Sequence, residues 1–330
     1  MISQFIIAEA QSINNSDLFF KIGKSFFEKG NYLESINYYD KAIAADPTNS
    51  TYYFSKAQSL FSLDRPLDVI DALDIAIIVE PNNFTYHSFK ASILMNMEKN
   101  EEAIIEFDKA IALNSTDKYS YLLKNFPLLD LGRNQAIIDN FDKLLKVKPN
   151  DTDVYYEKGT FVRSFLNNER EALKTFDTAL SFWPNNATFN FEKGLSLDLL
   201  NRSSGAMNYF DRAIKLDPND YLFHWKKGTL LYDLGNYAEA MKYYDAAIRL
   251  MNESNPSDKV IPPFILSEKG LAFAHLQNYS ESMKAFNKSL EIVPDRPLTY
   301  EDKAMALNIL NRLEEADEAY AKYQSLMYSK

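Results

Sequence analysis

Residues 187–220 contain two runs in which apolar residues recur at helical spacing, separated by a polar break, and this pattern is typical of two short helices. A first apolar run contains Gly194 and Leu197 and ends at the polar residues 201–204. A second apolar run and its end are marked by Ala206, Phe210, Ala213 and Pro218. Because proline cannot continue a helix, this stretch predicts a helix, a turn, a second helix and a stop.

The same pattern recurs nine times and covers residues 16–330, with repeats that begin near residues 16, 50, 84, 118, 152, 187, 221, 263 and 297. The eighth position of each repeat is mostly small: Gly23, Ala57, Ala91, Asn125, Gly159, Gly194, Gly228, Gly270 and Ala304. The twenty-fourth position is large and apolar: Tyr39, Leu73, Phe107, Phe141, Phe176, Phe210, Tyr244, Phe286 and Tyr320. A small residue lets two helices approach closely, so each repeat is expected to fold as a helix hairpin.

The order of glycine, a large apolar residue three positions later, alanine, phenylalanine, alanine and proline resembles the tetratricopeptide repeat. The six positions that carry the resemblance in the sixth repeat are Gly194, Leu197, Ala206, Phe210, Ala213 and Pro218. The resemblance implies an all-α fold, a right-handed α-solenoid (superhelix) of antiparallel helix hairpins with nine such repeats.

The two ends of the chain depart from the repeat. Residues 1–15 look like half a repeat, with Phe5 and Ala8 where a second helix would carry its phenylalanine and alanine. We expect an N-terminal helix that caps the first repeat; a segment of a longer array is the alternative. In the last helix, Tyr323 and Leu326 are expected to be partly exposed, which favours self-association or a further domain.

Three internal positions also break the period. Pro127 lies inside the first helix of the fourth repeat and is expected to kink it. The fifth repeat has one extra residue, near residues 167–170. Eight residues are added within 252–263, and their composition predicts a loop insertion at about 255–262. Tolerated drift and a local change in curvature are both consistent with these breaks.

Composition narrows the classes of function. The chain has 330 residues, no cysteine, a net charge of −10 and a pI near 5.0. The lack of cysteine excludes disulfides and thiolate chemistry, and the acidic balance argues against a nucleic-acid partner. No apolar run approaches the ~20 residues of a membrane helix, and the N-terminus lacks the basic region of a signal peptide. We therefore expect a cytoplasmic protein with no membrane partner.

The sequence contains no arrangement of residues that predicts catalysis, so we expect no enzymatic activity, no metal and no cofactor. Glycine-rich phosphate loops and the hydrolase nucleophile motif are absent. His87 and His224 occupy the fourth position of their repeats, where the family places a residue that packs between helices.

The resemblance implies that the first helices line an inner, concave wall. The residues that it places on this wall are Phe20, Phe27, Phe54, Phe61, Tyr119, Tyr156, Phe191, Leu222, Trp225 and Tyr232. Aromatic side chains offer much contact area with few rotatable bonds, which favours a groove for an apolar or aromatic peptide or protein segment. The alternative is that a tightly coiled array buries them against its own side chains. No repeat has lysine at position five, which argues against the family's terminal-carboxylate site.

These expectations indicate a non-catalytic protein–protein interaction scaffold, or adaptor, that binds a partner segment in an aromatic-rich concave groove. The alternatives are a self-assembling structural repeat protein, with association through the C-terminal face, and a regulatory segment of a larger multidomain protein.

Overall fold

The computed structural model describes residues 2–254 and 262–328, and the side chains of residues 15–253 and 262–328. Over these residues the chain forms eighteen α-helices and no β-strand. Two compact units divide the chain, unit 1 (Met1–Val154) and unit 2 (Tyr155–Lys330), and each is described by itself.

The helices are α1 (Ile2–Glu28), α2 (Tyr32–Ala45), α3 (Ser50–Ser62), α4 (Pro66–Val79), α5 (Phe84–Asn96), α6 (Asn100–Leu113), α7 (Lys118–Asp130), α8 (Asn134–Val147), α9 (Thr152–Leu166), α10 (Glu169–Phe182), α11 (Ala187–Leu199), α12 (Ser203–Leu216), α13 (Tyr221–Asp233), α14 (Tyr237–Ser254), α15 (Pro263–His275), α16 (Tyr279–Ile292), α17 (Pro297–Ile309) and α18 (Leu313–Tyr328).

Each unit is built from helix hairpins that stack on one another. In unit 1, α1 packs against α2, α3 against α4, α5 against α6 and α7 against α8, and the second helix of each hairpin packs on the first helix of the next. In unit 2, the hairpins α11–α12, α13–α14, α15–α16 and α17–α18 repeat the arrangement. The first helices α3, α5, α7, α9, α11, α13, α15 and α17 begin at the residues where the sequence pattern starts a repeat. The prediction of an all-α solenoid of helix hairpins is confirmed.

The small eighth position lies against the large twenty-fourth position within a hairpin. A Cβ added to Gly194 would lie 2.7 Å from the ring of Phe210, and one added to Gly270 would lie 2.7 Å from Phe286. Phe210 and Phe286 are fully buried. The ring therefore fills the space that a side chain on the facing helix would need, which explains why the small position recurs.

The turn between the two helices of each hairpin has one residue in the left-handed conformation. Gly30, Gly132 and Gly235 have φ between 67° and 77°, a region that costs glycine little. The other hairpins use a polar residue there, with φ between 47° and 59°: Asp64, Glu98, Asn167, Asn201, Gln277 and Asn311. The fifth repeat, which has the extra residue, keeps the left-handed conformation at Asn167, but the bond from Asn168 N–H reaches back six residues to Val162 O, whereas the other hairpin turns reach back five.

In the fourth repeat, a hydrogen bond between two side chains forms at the contact between the helices of the hairpin. Asn125, at the small position, is fully buried, and its Oδ1 accepts a hydrogen bond of 2.8 Å from Asn140 Nδ2. Asn140 also donates to the backbone oxygen of Tyr121 at 2.7 Å. The helix α7 continues through Pro127 to Asp130, so this proline does not end it.

Two of the predicted departures fall partly outside the described residues. The helix α1 is continuous from Ile2 to Glu28, but the side chains of Phe5 and Ala8 lie outside the described residues, so the N-terminal cap stays a prediction. Residues 252–254 belong to α14 rather than to a loop, because the helix runs on to Ser254. Most of the predicted loop, residues 255–261, lies outside the described residues.

Candidate partner-binding surfaces

A repeated hydrogen bond lies near the start of five first helices, α3, α5, α11, α13 and α17. The side chain at the fourth position meets the backbone oxygen of the proline that ends the preceding repeat. His224 Nε2 lies 2.9 Å from Pro218 O, and the hydroxyl of Tyr53 donates to Pro47 O at 3.2 Å. The equivalent contacts join Asn190 to Pro184, Tyr300 to Pro294 and His87 to Pro81. The histidines at this position therefore hold neighbouring repeats together, and among the described residues no group of three or more His, Cys, Asp or Glu could bind a metal.

A ladder of ion pairs joins successive repeats at another face. Lysine at the seventh position of one repeat contacts aspartate at the twenty-fifth position of the repeat before it. Lys56 lies 2.6 Å from Asp40, and the pairs Lys90–Asp74, Lys124–Asp108 and Lys193–Asp177 are each 2.5 Å long. Lys227–Asp211 and Lys269–Asp245 continue the ladder in unit 2. The sequence signal for this contact is the recurrence of lysine and aspartate at these two positions of the repeat.

Unit 1 contains an open apolar cleft of about 290 Å³. It is lined by Phe54, Gln58, Phe84, Thr85, Ser88, Phe89, Asp117 and Tyr119. Two predicted groove residues, Phe54 and Tyr119, therefore reach one cleft, and Tyr119 is 58% exposed. The rings of Phe54 and Phe61 both make edge-on contacts with Phe89, at centroid distances of 5.8 and 5.6 Å.

The other two aromatics predicted in unit 1 are engaged within the hairpin packing. The ring of Phe20 lies 5.1 Å from Tyr52 and 5.6 Å from Tyr39, and Phe27 lies 5.5 Å from Tyr32. Both phenylalanines are half-buried. They support the first helices and do not line the cleft.

In unit 2, Phe191 departs from its predicted position on the groove wall. Its side chain is only 6% exposed, and its ring lies 4.7 Å from Phe223 and 5.7 Å from Phe210. It belongs to a hydrophobic core cluster, against which the half-buried Leu222 also packs. We therefore assign Phe191 to the core, because the rings of the adjacent repeat cover it.

Trp225 and Tyr232, by contrast, lie beside polar groups in unit 2. The indole N–H of Trp225 donates to Glu268 Oε2 at 3.0 Å, and its ring lies 4.5 Å from Phe264. Thr229 donates to the same carboxylate oxygen at 2.8 Å. The hydroxyl of Tyr232 lies 3.1 Å from His275 Nε2. Tyr156, the remaining predicted aromatic, is 40% exposed.

Carboxyl groups gather around these two aromatics. We call the set formed by Trp225, Tyr232, Asp198, Asp233, Glu268 and Asp302 the acidic aromatic surface. Burial raises the pKa of Asp302 to about 6, with help from Glu268 and Glu301 and against the charge of Arg296. Burial also raises the pKa of Glu268, although hydrogen bonds from Thr229 and Trp225 oppose the shift.

The carboxyl groups at the rim of the acidic aromatic surface, those of Asp198 and Asp233, also have raised pKa values. Partial desolvation raises the pKa of Asp198, which Asp233 raises further, and Lys226 opposes the shift. Desolvation likewise raises the pKa of Asp233 itself. Burial raises the pKa of Tyr232 to about 12, with contributions from Tyr237 and the nearby carboxyls. Neighbouring carboxyls thus make it less favourable for each acidic group of this surface to ionise.

Sequence reasoning missed Glu268 and Asp302, and a signal for them exists at the sixth position of the repeat. That position is acidic in four of the five repeats of unit 2, at Glu157, Glu192, Glu268 and Asp302, with Lys226 in the remaining one. In unit 1 it is Lys21, Ser55, Phe89 and Leu123. The sixth position therefore carries an acidic residue in most repeats of unit 2 and in none of unit 1.

No helix in the described part of the chain has the length and apolar character needed to cross a membrane.

Comparison with known proteins adds family and fold. Residues 164–221 and 200–258 match a family model described as a tetratricopeptide repeat, and residues 16–49 and 85–117 match a second model with the same description. No curated protein matches the sequence.

Several solved structures resemble the chain. The type IV pilus biogenesis factor PilW is 17% identical over 68% of this chain and 98% of its own, with a TM-score of 0.50, which shows a shared fold. A tetratricopeptide repeat protein from Parabacteroides merdae is 15% identical over 78% of this chain and 98% of its own, with a TM-score of 0.48. Yeast Tom70 is 16% identical over 96% of this chain and 77% of its own, with a TM-score of 0.45.

Proposed function

Because the chain belongs to the tetratricopeptide repeat family, we propose that it is a non-catalytic scaffold that holds a protein or peptide segment against its first helices. The observation that carries this proposal is the apolar cleft of unit 1, with its exposed Tyr119 and the rings of Phe54 and Phe89. A cytoplasmic location and an adaptor role remain predictions from the sequence.

The cleft supports the proposal through its size and lining. Its volume of about 290 Å³ is at the lower limit of typical ligand pockets and can hold one or two apolar side chains. Aromatic rings that are already packed against one another lose little conformational entropy when a partner covers them. Each apolar side chain that enters loses contact with water, which contributes roughly 25 cal/mol per Å² of buried area.

The proposal is tested by a peptide-binding screen on the double variant Phe61→Ala and Tyr119→Ala, which removes one ring of the cleft lining, Tyr119, and the ring that packs on Phe89 beside it. Both side chains are at least half exposed, so the variant is expected to fold and to lose apolar peptides that the parent protein selects. The matched control is Leu33→Ala with Leu67→Ala, since both leucines are 64% exposed on second helices of the same unit. Equal loss in both variants, or retention in both, would argue against the cleft.

Self-assembly is the second candidate function, and α18 provides the observation that favours it. This helix exposes Tyr320, Met327 and Tyr328, the last to 82%. Light scattering across a range of protein concentrations tests this candidate. A particle mass that rises with concentration, and returns to the monomer value in Tyr320→Lys with Met327→Lys, is the expected result. A constant monomer mass would rule it out.

A further inference from the structure

We propose that the acidic aromatic surface of unit 2 binds a basic side chain, an arginine or lysine of the partner segment, between Trp225, Tyr232 and the carboxylates of Asp233, Glu268 and Asp302. This inference rests on the proposed function and assigns the class of residue that unit 2 selects.

The charges around the surface are unbalanced. Five carboxyl groups interact electrostatically here, those of Asp198, Asp233, Glu268, Glu301 and Asp302. The cations that oppose them in the described part of the chain are Lys226 and Arg296. Two ladder lysines on the same helices, Lys193 on α11 and Lys227 on α13, are already paired with Asp177 and Asp211. An incoming cation therefore meets negative charge that the fold leaves uncompensated.

The aromatic half of the surface already holds a cation. The ammonium group of Lys226 lies 4.0 Å from the centre of the Trp225 ring. Tryptophan has the most favourable ring face for such a contact, and a guanidinium group can also stack on it. The internal lysine thus shows which chemistry the ring accepts, and a ligand cation can share or replace this contact.

A buried hydroxyl adds an independent observation. Tyr244 is 0% exposed, and its hydroxyl interacts with Glu268 and Thr229 but makes no hydrogen bond of ordinary geometry to the described residues. It faces Glu268 and Thr229, behind the carboxylate that Trp225 contacts. The hydroxyl oxygen can accept a hydrogen bond from an N–H group that reaches Glu268, so an entering basic group would satisfy a polar atom that the fold leaves poorly paired.

The arrangement fits a basic side chain better than a metal ion. Among the described residues, no three donors converge closely enough to bind a metal. The carboxyls instead border two aromatic rings over successive hairpins, which suits a long, amphipathic side chain. Glu268 is held in place by Trp225 and Thr229, so part of the site is organised in advance.

The test uses the full chain and pools of nine-residue peptides with a fixed central residue and random flanking residues. The central residue is arginine, lysine, glutamate or norleucine, and binding is followed by fluorescence anisotropy. We expect the arginine or lysine pool to bind at least ten-fold more tightly than the norleucine pool. The double variant Asp233→Asn with Asp302→Asn should remove most of that preference.

The matched control is Glu314→Gln with Asp317→Asn, which removes the same charge from exposed positions on α18. Retention of the preference in this control supports the site, whereas equal loss would assign the effect to net charge and overturn the inference. Equal binding of the norleucine and basic pools would also overturn it while leaving the scaffold function intact. If no pool binds, the proposed function fails for unit 2 and the inference falls with it.

Discussion

The two units differ in how most of their perturbed acidic side chains are partnered. In unit 1, hydrogen bonds and nearby lysines hold the pKa values of Glu80, Glu106 and Asp151 below their usual range, even where burial opposes the shift. In unit 2, burial raises the pKa values of Glu192, Asp198, Asp233, Glu268 and Asp302. Unit 1 thus carries well-partnered carboxylates, whereas burial outweighs the partners of these five groups in unit 2, including the Arg163 ion pair of Glu192. The partly exposed Glu315 of unit 2 keeps a lowered pKa through hydrogen bonds from Tyr279 and Arg312.

This difference separates residues that stabilise the fold from residues that are available for binding. Burial alone would raise the pKa of Glu106, but His87, Lys109 and Lys90 outweigh it. Glu106 therefore contributes stability at neutral pH that is lost as the pH falls through its lowered pKa. Asp302 has no comparable set of partners, and its charged form costs stability at neutral pH. Acidic groups such as Asp302, whose charged form is disfavoured in the folded protein, concentrate at functional sites.

The largest effect on stability is expected from His87→Phe, which would remove the buried hydrogen bond between His87 and Glu106 in unit 1. His87 Nδ1 lies 2.6 Å from Glu106 Oε2, and both side chains are at least nine-tenths buried. Phenylalanine fills similar space but leaves a buried carboxylate without this partner. We expect the free energy of unfolding to fall by about 2–3 kcal/mol. Urea unfolding followed by circular dichroism measures the change.

The control for this prediction occupies the same repeat position in unit 2. His224 contacts the backbone oxygen of Pro218 and faces the ring of Tyr243, with no buried carboxylate as its hydrogen-bond partner among the described residues. His224→Phe should therefore cost no more than about 1 kcal/mol. Equal costs for the two variants would show that the histidine position, rather than the buried carboxylate, sets the stability.

A smaller effect of opposite sign is expected from Asp302→Asn. The pKa of Asp302 is raised to about 6 in the folded protein, so folding favours its neutral form. Asparagine is neutral at every pH, and we expect a gain of about 1–2 kcal/mol at pH 7.5 after allowance for solvent screening. Both tryptophans, Trp183 and Trp225, belong to unit 2, so their fluorescence reports its unfolding.

The dependence on pH sharpens the same prediction. An aspartate with a raised folded-state pKa destabilises the protein above that pKa, and the penalty fades between about pH 6 and the unfolded value near 4. The gain from Asp302→Asn should therefore shrink to a small remainder at pH 4. A gain that stays constant between pH 4 and 7.5 would contradict the electrostatic explanation.

The smallest effect concerns the ladder, which both units share. Lys303 occupies the lysine position of the last repeat. The residue that should pair with it, at the aspartate position of the preceding repeat, is Asn287. Asn287→Asp would complete the pattern and should add about 0.3 kcal/mol, since exposed ion pairs contribute little. Thermal unfolding at 20 mM and 500 mM salt measures it, and the gain should vanish at the higher salt concentration.

The repeat architecture could be predicted from the sequence because it depends on residue size. Gly194 opposite Phe210 and Pro218 at the end of a repeat are local signals that recur in register. The exposure of an aromatic could not be predicted in this way. Phe191 is covered by Phe223 of the following repeat, whereas Tyr119 remains open, and the difference depends on how neighbouring hairpins stack.

The carboxylates of unit 2 were missed for a related reason. Asp302 and Glu268 belong to different hairpins, and their interaction appears only when the helices are placed side by side. Each is an ordinary polar residue of a helix when it is considered alone. Their recurrence at the sixth position was visible, but its meaning depended on the burial that the fold provides.

The ladder also shows where the chain tolerates added sequence. The pairs Lys56–Asp40 and Lys227–Asp211 share the regular spacing of the repeat, whereas Lys269–Asp245 bridges the junction that carries the added residues and still forms. The ion pair between the repeats of α14 and α15 thus forms despite the longer connection between these helices. An epitope tag or a fluorescent reporter inserted at this junction should therefore leave both flanking repeats in register, which makes it the natural attachment point for labelling the protein.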